Sequence, residues 1–237
     1  MLKHTNFAIA ISIVILLPVV CFMYFFVYKS DNFMKSPPIY GERKGVKTIE
    51  KEGKITYDTI YHSLPEFSFI NQNGQAVSQK NYNGKIYVAD FFFTSCQTIC
   101  PTMTTQLGRL QTMFKPERDI DYKILSHTVD PQHDMIAVLR HYADSIKSID
   151  SIWTFVTGDK VALYDIARKG YLLPVEEGNG GADDFIHSEK LVLIDWAGRI
   201  RGFYDGTDSM ELKKLADAII LLNLNKRKLD GTKPSHY

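Results

Sequence analysis

The sequence reads Asp90-Phe91-Phe92-Phe93-Thr94-Ser95-Cys96-Gln97-Thr98-Ile99-Cys100-Pro101 where an apolar strand turns into a helix, and this stretch decides the fold. Phe91 to Phe93 are typical of the end of a buried strand, and Pro101 suits the first helical position, where its missing N–H costs nothing. Cys100 is therefore expected at or next to the helix N-terminus. There the helix dipole and the free amides favour a thiolate, which is both the nucleophile and the metal ligand.

The spacing of the two cysteines leaves their chemistry open. Three residues separate Cys96 from Cys100, whereas the common thioredoxin-like redox motif has two. A disulfide between cysteines so close in sequence would close only a short loop, so the pair is not expected to be there to stabilise the fold. From spacing alone, a site for a soft metal ion and a redox-active dithiol remain equal alternatives.

The N-terminus predicts a membrane anchor. Phe7 to Tyr28 carry no charge and are almost wholly apolar, and about 20 such residues span a hydrocarbon core as a helix. Aromatic residues follow where a signal-peptide cleavage site needs small ones, so we expect a retained anchor over residues 1–30. The flanking charges do not decide its orientation. We expect the soluble domain on the periplasmic or extracytoplasmic side of a cell (inner) membrane, since its sparse thiols fit an oxidising compartment.

The rest of the chain divides into a linker, one domain and a tail. Residues 31–61 are rich in Lys, Glu and Gly without a sustained apolar period, which predicts a linker. Residues 62–225 are expected to form the domain and residues 226–237 a polar tail. Lys and Arg number 28 against 27 Asp and Glu, so no general positive field would attract nucleic acid.

Within the domain, apolar patterns alternate between strand and helix periods. This order, closed by a hairpin, predicts an α/β fold with a mixed sheet. The predicted elements are two short strands around Asn73-Gly74, a strand at Ile86–Phe93, a helix after the cysteines, a strand at Ile124–Val129, a helix at Asp134–Ile146, a strand at Trp153–Val156, a helix at Val161–Arg168, strands at Leu191–Ile194 and Ile200–Tyr204, and a helix at Met210–Leu222.

Three motifs together resemble the SCO/SenC family of membrane-anchored, thioredoxin-like copper proteins. The first is Phe91 to Pro101 with its two cysteines, the second is Ser126 to Pro131 followed by Asp134, and the third is His187 just before an apolar strand. The resemblance covers roughly residues 62–225 and the anchor layout. Three residues depart from the usual pattern without removing a presumed ligand: Gln97, His127 and Met135.

The resemblance implies a thioredoxin-like mixed sheet flanked by helices, and a copper site formed by Cys96, Cys100 and His187. Cu(I) is soft and takes two or three ligands, so two sulfurs suit it, while an imidazole supports Cu(II). The implied function is that of a metallochaperone without turnover, which delivers copper to the CuA centre of a cytochrome c oxidase subunit. A copper donor or a thiol reductase is the implied further partner.

An alternative is a thiol:disulfide oxidoreductase that reduces the CuA cysteines of its partner, or a redox or copper sensor. In that case Cys96 and Cys100 are the redox-active, catalytic residues and His187 is dispensable. His127 and His133 flank Asp130 and are expected at a strand end and in a turn, not as ligands. Asp130 is expected to shape the loop after the strand, and a second hypothesis is that it tunes the copper site.

Overall fold

The computed structural model describes residues 14–24, 36–51, 54–114, 119–173 and 188–231. Residues 14–24 form helix α1, inside the predicted anchor. Among the described residues, no helix combines the length and the apolar character that crossing a membrane requires. The predicted span from Phe7 to Tyr28 extends outside the described residues at both ends, so the anchor stays a prediction.

The elements of the domain follow the predicted order. The strands are β1 (Arg43–Lys51), β2 (Lys54–Tyr61), β3 (Ser68–Asn71), β4 (Ala76–Ser78), β5 (Tyr87–Phe92), β6 (Lys123–Thr128), β7 (Trp153–Thr157), β8 (Lys190–Ile194) and β9 (Ile200–Asp205). The helices are a 3₁₀ turn (Gln79–Tyr82), α2 (Cys100–Met113), α3 (Ile136–Ser145), α4 (Lys160–Asp165) with a π-helical turn (Ile166–Gly170), and α5 (Ser209–Asp230).

Seven of the described strands form one mixed sheet in the order β4-β3-β7-β6-β5-β8-β9. The central strands β5, β6 and β7 are parallel, while β3 pairs antiparallel with β7 and β8 pairs antiparallel with β5. Every residue of β5 is buried, as expected for a strand covered on both faces. The predicted α/β class and mixed sheet are therefore confirmed.

Each face of the sheet has its own hydrophobic core. On one side, which we call the helix face, Val88 and Phe92 of β5 pack with buried residues of α2, α3 and α5. On the other side, the aromatic face, Phe91 packs with Phe67, Phe69 and residues of α4 and its π-helical turn. Because successive strand residues point to opposite faces, neighbouring residues of β5 and β6 belong to different cores.

Residues 43–61 differ from the predicted linker, because they form an antiparallel hairpin of β1 and β2. Its β-branched and aromatic side chains favour strands, but Val46, Ile55 and Tyr57 are exposed. Cross-strand pairing, such as Thr48 opposite Tyr57, defines this hairpin. A hairpin that buries little apolar surface gives no sustained apolar period in the sequence, and this is why its pattern was missed.

The C-terminal boundary also differs. Helix α5 continues through Lys226 to Asp230, inside the predicted tail, and Gly231 follows with a left-handed φ of 67°. Glycine adopts this conformation readily and ends helices in this way. Arg227 forms an ion pair with Asp119 at 3.0 Å, so the basic run is part of the folded domain.

Candidate metal centre

The two cysteines flank the turn from β5 into α2. Strand β5 ends at Phe92, Cys96 lies in the following loop, and Cys100 is the first residue of α2 with Pro101 after it. This confirms that Cys100 begins the helix. The loop leaves the sheet at the carboxyl edge of the parallel strands, where open α/β sheets bind their ligands.

The two thiols have different surroundings. Both are free, but Cys96 is half-buried, whereas Cys100 is only 5% exposed. The backbone N–H of Cys96 donates to the carbonyl of Phe93 at 3.2 Å. The Cys96 Sγ lies 3.6 Å from the hydroxyl of Thr98. The loop therefore holds Cys96 at the carboxyl edge of the sheet, while Cys100 is buried at the start of α2.

These surroundings move the two pKa values in opposite directions. Burial acts to raise the pKa of Cys96, but hydrogen bonds from the Cys100 thiol and from the amides of Thr98 and Cys100 outweigh it, so the pKa is lowered. Burial, and then the hydrogen bond with Cys96, raise the pKa of Cys100 to about 12. At the start of α2, Pro101 has no N–H and the amides of Thr102 and Met103 donate to the carbonyl of Ile99, so the amide of Cys100 is the one that reaches the Cys96 sulfur. Cys96 is therefore the more acidic thiol of the pair and Cys100 the less acidic one.

Asp134 connects the cysteine loop to the sheet. Its side chain is fully buried, and it accepts hydrogen bonds from the amide of Thr94 at 3.1 Å and from the hydroxyl of Thr94 at 2.5 Å. The hydroxyl of Thr128, the last residue of β6, also donates to it at 2.5 Å. Sequence reasoning placed Asp134 in the second motif but gave it no role, because the burial of a polar residue before a helix is not visible in sequence.

Asp130, in contrast, contacts its own turn. Its carbonyl accepts the amides of His133 at 3.2 Å and Asp134 at 2.8 Å, and its amide faces the hydroxyl of Thr128 at 3.0 Å. These contacts agree with the predicted loop-shaping role. The hypothesis that Asp130 tunes the copper site finds no support among them.

A second buried carboxyl lies on the helix face. The hydroxyl of Ser126 donates to Asp90 Oδ1 at 2.5 Å, and the indole Nε1 of Trp153 donates to Ser126 Oγ at 2.8 Å. Burial raises the pKa of Asp90 to about 7, although the hydrogen bond from Ser126 opposes this. The negative charge of ionised Asp90 is also one of the smaller causes that raise the pKa of Cys100. Asp90 therefore makes a small electrostatic contribution to the raised pKa of Cys100.

The two histidines of the second motif do not join the cysteines. His127 is fully buried on the aromatic face, stacked on Phe91 at 4.8 Å between ring centroids. Burial lowers its pKa to about 3, so it is neutral. His133 is largely exposed in the turn and places Nδ1 3.1 Å from Asp134 Oδ1. Their predicted positions, at a strand end and in a turn, are confirmed.

His187, the third predicted ligand, lies outside the described residues. Its described neighbours Ser188 and Glu189 lead into β8, which runs antiparallel to β5 and so begins at the edge that carries the cysteine loop. The carbonyl of Glu189 accepts the amide of Gly206 at 2.7 Å, and a Cβ at Gly206 would lie 3.1 Å from Met103 Cγ. The chain that follows His187 thus reaches the first turn of α2.

The described donor set fits a soft metal ion. Within the described residues no group of three or more His, Cys, Asp or Glu side chains could hold a metal, so the cysteine pair is the donor set to consider. Two free thiols in hydrogen-bonding contact at an open sheet edge suit Cu(I), which accepts two sulfur ligands. The same pair can also be oxidised to a disulfide.

Comparison with known proteins identifies the family. The SCO1/SenC family model matches residues 58–220. The SCO1 protein homolog of Bacillus subtilis (strain 168) is 32% identical over 158 residues, which are 66% of this chain and 81% of that protein.

Two solved structures give the same picture. BsSco, a member of the Sco family of cytochrome c oxidase assembly proteins with a disulfide switch, is 31% identical with a TM-score of 0.58, covering 69% of this chain and 95% of that chain. Bradyrhizobium japonicum ScoI with copper bound is 23% identical with a TM-score of 0.52, covering 66% of this chain and 97% of that one, and this likeness shows the fold alone. The mixed sheet is therefore the thioredoxin-like Sco fold, and the chain belongs to the SCO1/SenC family.

Proposed function

We propose that this protein is a membrane-anchored copper chaperone that binds Cu(I) or Cu(II) through Cys96, Cys100 and His187. It delivers the copper to the CuA site of cytochrome c oxidase. The observation that carries the proposal is the pair of free thiols, Cys96 half-buried and Cys100 buried, at the carboxyl edge of the sheet. Family membership and the copper in Bradyrhizobium japonicum ScoI support it.

Copper binding and release follow from the two thiols. Cys96, the more accessible and more acidic of the two thiols, takes the incoming ion first. Cys100 releases its proton as it becomes the second ligand, because a metal ligand must be a thiolate. Release occurs by ligand exchange, in which thiolates of the partner displace these sulfurs in turn. The copper is thus never free in solution.

The anchor holds this site near a membrane-bound oxidase. The apolar segment from Phe7 to Tyr28 supports a single membrane span, with the domain on the periplasmic or extracytoplasmic side. An assembly role in BsSco supports an oxidase subunit as the recipient. A copper donor or a thiol reductase is the proposed partner upstream of it.

Anaerobic titration with Cu(I) against a competing chelator tests the copper site. The full chain in detergent should bind one ion tightly, and Cys96→Ser or Cys100→Ser should each weaken binding more than about 100-fold, since losing even an outer contact of a metal site costs 10 to 100-fold. His187→Ala should change the Cu(II) spectrum, whereas His133→Ala should leave it unchanged. Full Cu(I) affinity in both cysteine variants would contradict the site.

The second candidate function is a thiol:disulfide oxidoreductase. The lowered pKa of Cys96 beside the protonated Cys100 favours it, since an attacking thiolate and a resolving thiol are what exchange requires. The disulfide switch of BsSco supports it as well. Weak Cu(I) binding that does not depend on His187, together with reduction of a CuA-domain disulfide by the protein, would favour this function over the chaperone.

A further inference from the structure

We propose that Asp134 is a positioning residue that holds Cys96 within reach of Cys100 by fixing Thr94, the second residue of the cysteine loop. This goes beyond the proposed function, because it concerns how the pair is held in either chemistry. Asp134 is not one of the proposed copper ligands, which are Cys96, Cys100 and His187.

The contacts of Asp134 are divided between its two oxygens. Oδ1 accepts the hydroxyl of Thr94 at 2.5 Å and lies 3.1 Å from His133 Nδ1. Oδ2 accepts the amide of Thr94 at 3.1 Å and the hydroxyl of Thr128 at 2.5 Å. Since Asp134 is fully buried, these hydrogen bonds are shielded from water, and hydrogen bonds to a carboxylate are the stronger kind.

This arrangement fixes both ends of the segment that carries the thiols. At one end, Thr94 is held by its amide and its hydroxyl to the carboxylate of Asp134, whose own backbone amide donates to the carbonyl of Asp130 at 2.8 Å. At the other end, Cys100 is the first residue of α2 and is buried. Cys96 lies between these fixed points, so its sulfur cannot move far from that of Cys100. Holding two reacting groups together in this way raises their effective concentration.

The consequence is a more favourable disulfide and a tighter two-sulfur metal site. Against glutathione disulfide, the Cys96 thiolate attacks one glutathione sulfur, which forms a mixed disulfide and releases one glutathione thiolate. Cys100 then loses its proton and attacks the Cys96 sulfur, which expels the second glutathione. Two electrons pass from the cysteine pair to glutathione disulfide, which is reduced to two glutathione molecules. The second, intramolecular step depends on the distance between the two sulfurs, which Asp134 controls.

The test is the equilibrium constant between dithiol and disulfide, measured in glutathione buffers on the full chain in detergent without copper. Thr94→Val removes the hydroxyl and keeps the amide contact. It should shift the equilibrium toward the dithiol by about tenfold, the effect of one hydrogen bond to a charged group. Thr94→Ser restores the hydroxyl and should return the constant to within about twofold of the wild type. Asp134→Asn should shift it at least as far as Thr94→Val.

Thr128→Val is the matched control. It removes the bond between Asp134 and β6 and not the bond to the loop, so it should lower the denaturant midpoint while leaving the thiol equilibrium within about twofold of the wild type. The proposal is wrong if Thr94→Val leaves the equilibrium unchanged, or if Thr128→Val shifts it as much as Thr94→Val does. Because no copper is present, either result leaves the chaperone function untouched, and failure of copper binding would not affect this test.

Discussion

Adjacent residues of strands β5 and β6 meet two different environments. On the helix face, Asp90 and Ser126 form a hydrogen-bonded pair beneath the helix that begins at Cys100. One residue further along each strand, Phe91 and His127 stack together on the aromatic face. Both faces carry a buried ionisable group, and the one on the helix face, Asp90, contributes to the raised pKa of Cys100. The side of the sheet that a buried side chain occupies therefore decides whether it can act on the cysteine site.

The aromatic face makes its histidine inert. The ring of His127 lies among Phe67, Phe69, Phe91 and Tyr171, with centroid distances between 4.8 and 6.3 Å. Two contacts of its nitrogens are long, Nδ1 with the carbonyl of Asp90 at 3.4 Å and Nε2 with the hydroxyl of Tyr171 at 3.5 Å. A metal ion could not reach this ring without opening the core.

The largest expected change in the free energy of unfolding comes from His127. Its folded pKa of about 3 lies below the ordinary value of 6.5, so the unfolded chain binds the proton first as the pH falls. Stability linked to His127 is complete above pH 6.5 and is lost toward pH 3, by about 5 kcal/mol over the whole window. His127→Phe should remove this loss. Urea unfolding of both proteins at pH 7 and pH 4 measures it, and equal pH dependence in the two would show that the ring is not buried as a neutral base.

Asp90 should make the free energy of unfolding depend on pH in the opposite direction from His127, and by a slightly smaller amount. Its folded pKa of about 7 lies above the ordinary value of 3.8, so the folded protein keeps the proton that the unfolded chain has lost. Stability linked to Asp90 is complete below pH 3.8 and falls by about 4 kcal/mol as the pH rises toward 7.

Asp90→Asn should abolish that fall, so the variant should lose more stability than the wild type when it is moved from pH 7 to pH 4. Urea unfolding at both pH values again measures the difference. A variant that follows the wild-type profile would mean that Asp90 stays ionised in the folded protein.

The smallest effect is expected from Trp153, whose indole donates to Ser126. Trp153→Phe should cost about 1 to 2 kcal/mol in the free energy of unfolding, through one hydrogen bond and some lost packing. It should also raise the pKa at which Asp90 titrates, but only slightly, because Ser126 keeps its hydrogen bond to Asp90 and becomes only a somewhat weaker donor. Infrared titration of the protonated carboxyl, with Asp90→Asn as the blank, follows that pKa directly. A large shift would show that Trp153 also fixes Ser126.

Sequence patterns predicted much of the domain because its core elements have strong periods. The buried run Ile86–Phe93 and the helix after the cysteines correspond to β5 and α2. The β1–β2 hairpin was missed because its apolar residues are exposed and make no pattern with a core. The cysteine pair was found because two thiols before a helical proline are a local signal. The role of Asp134 could not be found in this way, because it depends on a contact with Thr94, which lies 40 residues earlier in the chain.

The sequence by itself determined the order of strands and helices, the position of Cys100 at a helix start and the family resemblance, since each depends on residues close together in the chain. Only the tertiary structure decided which faces the polar residues occupy. Sheet pairing places Asp90 and Ser126 together on the helix face and closes His127 among aromatic rings on the other. The opposed pKa values of Cys96 and Cys100 also arise there, because burial and hydrogen bonding act through space and depend on neighbours that the chain brings together only when it folds.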